Sequence, residues 1–259
     1  SSAASDVYKR QQFGRPINEI ANLYGQIQTA IAGAERVFSI MDEKEEEKQG
    51  KTSMPKGKGV VNFEHVDFSY VPEKQVLYDF NLEVRAGHKV ALVGATGSGK
   101  TTVVNLLMRF YEISAGKISI DGVDIRDIGM DELRKNIAIV LQDTVLFSDT
   151  IRNNIKYANL DAEEEKMKQA AATANCGRMI ERMEQGYDTI LSEGGQNLSQ
   201  GQRQLLSIAR AMLADPKILI LDEATSSVDT RTEKHIQDAM VNLMKDRTSL
   251  IIAHRLSTI

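Results

Sequence analysis

Hydrophobic residues recur every three or four positions over 12–41, among them Ile17, Ile20, Leu23, Tyr24, Ile27, Ile31, Ala34, Val37, Phe38 and Met41. That spacing predicts one long helix with an apolar stripe that needs a covering surface. Residues 1–11, SSAASDVYKRQ, carry no such period and read as standing outside the helix. The run DEKEEEK and the Gly/Lys/Pro stretch behind it predict a charged, solvated linker over 42–58. The pattern then changes. Val60–Phe68 alternates as a strand does, Tyr70 and Pro72 signal a turn, and Val76–Val84 forms a second strand. Lys89–Val93 reads as a short buried strand, followed by a glycine-rich turn and a helix over Lys100–Phe110. Further strands are expected at Gly116–Ile120, Ile137–Leu141, Ile218–Leu221 and Ser249–Ala253, with mainly helical sequence over 150–214. Alternating strands and helices imply an α/β domain over 59–259 with an inserted helical subdomain at about 143–214.

Composition narrows the function. The 259 residues are 42% hydrophobic and 26% charged, with a net charge of −4. This is ordinary for a globular protein, and it argues against a nucleic-acid partner held through phosphates. The single cysteine, Cys176, excludes an internal disulfide and a cysteine-based zinc cage. It reads as a small buried side chain, while His65, His88 and His235 read as surface or turn histidines and Phe110–Tyr111 as packing. No apolar run approaches the ~20 residues that span a bilayer.

Two segments carry chemistry. Gly94-Ala95-Thr96-Gly97-Ser98-Gly99-Lys100-Thr101 fits G-x-x-x-x-G-K-[ST], between a strand and a helix. Its glycines let backbone N–H groups close on phosphate oxygens, and the helix N-terminus adds positive potential. Lys100 can reach the β- and γ-phosphates, and the Thr101 hydroxyl can hold Mg²⁺. The second segment, Lys217–Glu223, is an apolar strand ending in two acids. At the carboxyl edge of a parallel sheet Asp222 can hold Mg²⁺ and Glu223 can deprotonate an attacking water. Acids that cap a following helix are the alternative for that pair taken alone.

Asn197-Leu198-Ser199-Gln200-Gly201-Gln202-Arg203-Gln204 resembles the signature motif of ATP-binding-cassette (ABC) ATPases. Other motifs of that family follow in order: Tyr70 resembles the adenine-stacking aromatic, Gln142 the Q-loop glutamine, Ser226–Asp229 the D-loop and His254 the switch histidine. The resemblance covers residues 60–259. It implies a P-loop NTPase (RecA-like) core with an antiparallel β subdomain and an inserted helical subdomain, preceded by the long helix. The segment 14–41 resembles the cytoplasmic end of the last transmembrane helix of fused exporters. Asp188–Gly195, DTILSEGG, resembles the exporter cross-linking loop, with Ser192 where glycine is common. Within the family the chain is most similar to the catalytically competent half of bacterial heterodimeric multidrug exporters.

What the resemblance implies is specific. ATP with Mg²⁺ is held by Tyr70, Gly94, Thr96, Gly97, Ser98, Gly99, Lys100, Thr101, Thr102, Gln142 and Asp222, with Thr101, Gln142 and Asp222 at the metal. Ser199, Gly201, Gln202 and Asp229 act in trans from a second ABC subunit in a head-to-tail dimer. Glu223, His254, Lys100 and Gln142 serve hydrolysis, which drives a membrane domain at the cytoplasmic face of a bacterial membrane to export drugs, lipids or peptides. A soluble ABC ATPase acting on ribosomes or DNA is the alternative. The string at 1–11 resembles a sequencing adapter read in frame, so these residues are expected to be an artefact of assembly, a natural polar tail being the alternative. The family usually continues beyond the switch histidine, so the chain is expected to be C-terminally truncated and to lack its own transmembrane domain.

Overall fold

The structure, a computed structural model, describes residues 2–44, 52–223 and 230–253, and side chains within them except at 2–15, 223, 230 and 231. Two units separate by their internal contacts, Ser1–Glu47 and Lys48–Ile259.

The first unit is a single helix, α1 (Ser2–Met41), with Pro16 inside it. It begins ten residues before the expected start, so residues 2–11 are helical rather than outside the helix. Ala3, Ala4, Lys9, Arg10, Gln11 and Gln12 are strong helix formers, and propensity extends the helix where the apolar period stops. Ile17, Ile20, Tyr24, Ile27, Ile31, Phe38 and Met41 all stand exposed along it.

The second unit holds two four-stranded sheets. One is antiparallel, in the order β2-β1-β4-β5, from β1 (Val61–Val71), β2 (Lys74–Val84), β4 (Ala115–Ile120) and β5 (Val123–Asp124). The other is parallel, in the order β3-β8-β7-β6, from β3 (Lys89–Val93), β6 (Ile137–Val140), β7 (Ile218–Glu223) and β8 (Thr248–Ala253). The helices are α2 (Lys100–Leu107), α3 (Met130–Lys135), α4 (Ile151–Lys156), α5 (Glu164–Thr173), α6 (Gly177–Glu181), α7 (Gln200–Ala214) and α8 (Thr230–Met244).

Side-chain alternation in β7 sorts the core. Ile218 and Ile220 point into one cluster, with Val103, Val104, Leu106 and Leu107 of α2 and with Phe63, Ile118 and Ile120 of the antiparallel sheet. Leu219 and Leu221 point into the other, with residues of α4–α8 such as Ile155, Met167, Ile208 and Leu243. The inserted helices therefore share one continuous core with the parallel sheet.

Several expectations shift. β1 runs on to Val71, so Tyr70 lies in a strand and the hairpin turn is Pro72–Glu73. β3 is an edge strand of the described sheet and is only partly buried, because β8 pairs with one side of it. α2 ends at Leu107, three residues early, since Arg109 adopts the left-handed conformation at φ 50°. The linker expected over 42–58 is tied down from Thr52 onward. The Thr52 N–H donates to the Asp127 carbonyl, and Gly129 donates to that of Thr52. Lys217 Nζ holds the Pro55 carbonyl at 2.7 Å, and the Asp121 carboxylate accepts from the Gly59 and Val60 amides.

Candidate functional site

The register of the parallel sheet builds the site. Val93, at the end of β3, pairs with Ala253; Glu223, at the end of β7, pairs with the same residue; Val140, at the end of β6, pairs with Leu221. One carboxyl edge thus delivers Gly94 from β3, Asp222 and Glu223 from β7, and Gln142 two residues beyond β6. Asp222 shares the parity of Ile218 and Ile220, whose face packs against α2. The fold therefore puts Asp222 on the phosphate-loop side of the sheet. His254, one residue past β8, and Asp229 lie outside the described residues, as do Ser226–Val228 and the side chain of Glu223.

The phosphate loop has the backbone its sequence demands. Gly97 and Gly99 adopt φ of 84° and 90°, a region costly for residues with a Cβ. A Cβ at Gly99 would lie 3.0 Å from Leu77 Cδ2, and one at Gly94 would lie 2.4 Å from Ser98 Oγ. Gly99 is the N-cap of α2 and makes no side-chain bond to its first turn, so the amides there are available to an anion. The Lys100 ammonium folds over the loop, donating to the Gly94 carbonyl at 2.7 Å and the Ala95 carbonyl at 3.0 Å. A loop wrapped around its own lysine already encloses a positive charge.

Beside it opens a cleft of about 450 Å³. Tyr70, Thr96, Gly97, Gly99, Lys100, Thr101 and Thr102 line it, all predicted from sequence. Val71, Lys74 and Val76 line it too and were not foreseen; the continuation of β1 past Phe68 brings them in. Thr101 is exposed, whereas Thr102 is buried and its hydroxyl lies 3.1 Å from the Tyr70 hydroxyl. The residues fit a nucleotide with Mg²⁺. The loop supplies amides and an ammonium for phosphate oxygens. Thr101, Asp222 and Gln142 carry oxygen atoms of the kind a hard cation takes, and would form a set that needs no cluster of three acids. Among the described residues no group of three or more His, Cys, Asp or Glu could hold a metal by itself.

No residue of α7 lines this cleft. Ser199 caps α7 instead: its Oγ accepts from the Gln202 amide at 3.2 Å, while Gln202 Oε1 accepts from the Ser199 amide at 2.9 Å. This capping box fixes the helix entry and leaves Ser199 exposed, with Gly201 buried in the first turn. The loop 188–195 lies against the segment after Gln142. Thr150 pairs with Ile190, the Leu191 amide donates to the Asp149 carbonyl, and Arg152 bridges Asp188 and Glu164. The Arg152 guanidinium holds the Asp188 carboxyl below the usual range.

Cys176 is fully buried, and burial pushes its thiol up to about 12. His65 is exposed and pairs with Asp79 at 2.6 Å. Tyr111 does pack, its ring standing against those of Tyr70 and Phe68, while 47% of it is exposed.

Comparison with known proteins agrees with this geometry. The family model described as "ABC transporter" matches residues 77–226. An uncharacterized ABC transporter ATP-binding protein of Bacillus subtilis, YfiC, is 53% identical over 251 residues, 96% of this chain and 42% of its own. A fatty acid ABC transporter ATP-binding/permease protein of Mycobacterium bovis is 51% identical over 96% of this chain and 40% of its own. An ATP-dependent lipid A-core flippase of Desulfotalea psychrophila is 50% identical over 94% of this chain and 43% of its own. The chain thus spans about two-fifths of the length of these curated relatives. The solved structure of a bacterial Atm1-family ABC exporter with ATP bound superposes with a TM-score of 0.79 at 39% identity, covering 96% of this chain and 44% of that one. With the phosphate loop, the paired strand-end acids and the signature helix all in one fold, the chain belongs to the ABC transporter family and carries its ATP-binding domain.

Proposed function

We propose that this chain is the ATP-hydrolysing part of an exporter, turning ATP and water into ADP and phosphate to drive a membrane domain. The observation that carries this reading is the shared carboxyl edge, where β3, β7 and β6 present Gly94, Asp222–Glu223 and Gln142 together. Lys100 exchanges its two loop carbonyls for β- and γ-phosphate oxygens, and the first-turn amides of α2 close on the same oxygens. Tyr70 supplies a ring face for adenine. Thr101, Asp222 and Gln142 hold Mg²⁺, which when bound neutralises phosphate charge and steadies the leaving group. A Glu223 carboxylate oxygen takes the proton of the attacking water, and His254 contacts the γ-phosphate.

The signature residues act in trans. Support comes from the cleft itself, which has no wall from α7, and from Ser199, which stands exposed at a capped helix N-terminus. A head-to-tail second ABC subunit would bring Ser199, Gly201, Gln202 and Asp229 to the γ-phosphate. Loss of that phosphate removes the differential binding that holds the dimer, so hydrolysis resets it. The relatives named for fatty acid and lipid A-core transport support a membrane-borne cargo, with this chain at the cytoplasmic face and its transmembrane domain as the coupled element. Among the described residues no helix is long and apolar enough to cross a membrane.

Steady-state phosphate release tests the reading. With ATP and Mg²⁺ the rate per chain should rise with protein concentration, and EDTA should abolish it. A rate per chain independent of concentration would overturn the shared site, and turnover undiminished by EDTA would overturn the metal assignment.

A further inference from the structure

We propose that Tyr111 is a positioning residue for nucleotide binding: it holds the Tyr70 ring upright as a preformed shelf for the adenine base. This rests on the reading of Tyr70 as the base-stacking residue. Tyr111 lines no part of the cleft, so it acts through Tyr70. The two rings stand perpendicular, with centroids 5.0 Å apart at 90°. Phe68 meets Tyr70 in the same way at 4.8 Å and 86°, and Tyr111 at 5.9 Å. The hydroxyl end of Tyr70 is held by Thr102 at 3.1 Å, with the Asn105 amide a weaker donor at 3.4 Å. Tyr70 is thus fixed at its tip by α2 and along its ring by two aromatic neighbours, while 45% of it remains exposed beside the phosphate loop. An immobilised ring loses little conformational freedom when a base stacks on it, which is the gain from preorganisation.

The turn that presents Tyr111 is held from several sides. α2 closes in a Schellman pattern: the Phe110 amide donates to the Asn105 carbonyl at 2.9 Å and the Arg109 amide to that of Leu106 at 3.0 Å. The left-handed position that such a turn gives to glycine is filled by Arg109, at φ 50°. Its buried guanidinium donates to Glu112 Oε1 at 2.8 Å and to the Ile125 carbonyl at 3.3 Å. Arg134 donates to the carbonyls of Met108 and Arg109 and covers the Phe110 ring at 5.1 Å. Ending a helix needs none of this. A turn so firmly held sets the direction of the residue that follows Phe110, and that residue reaches the nucleotide shelf.

Calorimetric titration of the full chain with ATP and, separately, with inorganic tripolyphosphate tests the proposal, because tripolyphosphate has no base. Tyr111→Leu keeps bulk but removes the ring; it should raise the Kd for ATP about three- to ten-fold and leave that for tripolyphosphate within about two-fold. Tyr111→Phe should bind both ligands within about two-fold of the parent, because the ring and not the hydroxyl makes the contact. Unchanged ATP affinity in Tyr111→Leu, or an equal loss for both ligands, would overturn the positioning role. So would a Tyr111→Phe variant as weak as Tyr111→Leu. Tyr70→Ala separates the underlying reading. If it leaves ATP affinity intact, the adenine shelf itself is wrong, whatever Tyr111 does.

Discussion

Lys100 is the residue for which the proposed function needs two states. Its ammonium now satisfies the Gly94 and Ala95 carbonyls, bonds that phosphate oxygens must replace. Lys100→Ala should abolish measurable ATP binding by titration calorimetry while circular dichroism stays native; retained affinity would contradict the phosphate-loop role. The phosphate loop was legible because its glycines and lysine are local requirements of backbone geometry and charge. The partner of Tyr111 was not, because nothing in the string Phe110-Tyr111 reveals a ring 41 residues earlier. Cys176 and Tyr187 add a pH dependence. Burial pushes each up to about 12, and for Tyr187 the nearby Cys176 thiol and Glu181 add to it. Both groups stay protonated in the fold at pH values where the unfolded chain has released them. Stability from this source is complete below the ordinary thiol range, about pH 8.5, and is lost as pH rises toward 12. Denaturant unfolding from pH 8 to 11 should therefore show falling stability, with a shallower fall in Cys176→Ala. A flat profile would contradict it.

Among the elements, the tied segment from Thr52 and the loop 188–195 behave as attachments whose bonds can be cut one at a time. Asp121 accepts from two amides of that segment, so Asp121→Ala should cost about 1–3 kcal/mol and speed hydrogen exchange at Gly59 and Val60. Unchanged exchange there would show that the Lys217–Pro55 bond suffices. Arg152 ties Asp188 and Glu164, and Arg152→Gln should raise exchange across 188–195 without changing that of β7. The Asp188 carboxyl is held low by Arg152, so this tie persists at neutral pH and weakens as acid protonates the carboxylate. Sequence periodicity found most strands to within three residues. It left out α3, which at six residues is too short to show a period, and α8, although Ile236, Ala239, Met240 and Leu243 of α8 recur at helical spacing and Ile236, Ala239 and Leu243 are buried against the parallel sheet.

For the whole molecule, the proposed function turns on one observation: no residue of α7 lines the cleft, so on that reading one copy's site is incomplete. The cleft has a phosphate loop and a shelf but no signature wall, so ATP should join two chains. Glu223→Gln keeps the shape of the side chain and removes the base. It should bind ATP normally, hydrolyse it at least about a hundred-fold more slowly, and elute as a dimer in ATP on gel filtration. Near-parent hydrolysis by this variant would remove Glu223 from the base role.

The sequence by itself determined where the proposed chemistry is written: the phosphate loop and the strand ending in two acids are short-range patterns dictated by backbone amides and charge, and the signature helix start was read by its resemblance to the family. It also determined most strands, because side-chain alternation is a local property. Only the tertiary structure decided what meets what. Parallel pairing of β3, β8, β7 and β6 brings residues more than a hundred positions apart to one edge, and parity in β7 turns Asp222 toward α2. Arg109, left-handed and buried, turns the chain so that Tyr111 meets Tyr70. Such contacts arise from the closure of long loops around a shared core, and no window of neighbouring residues contains both partners.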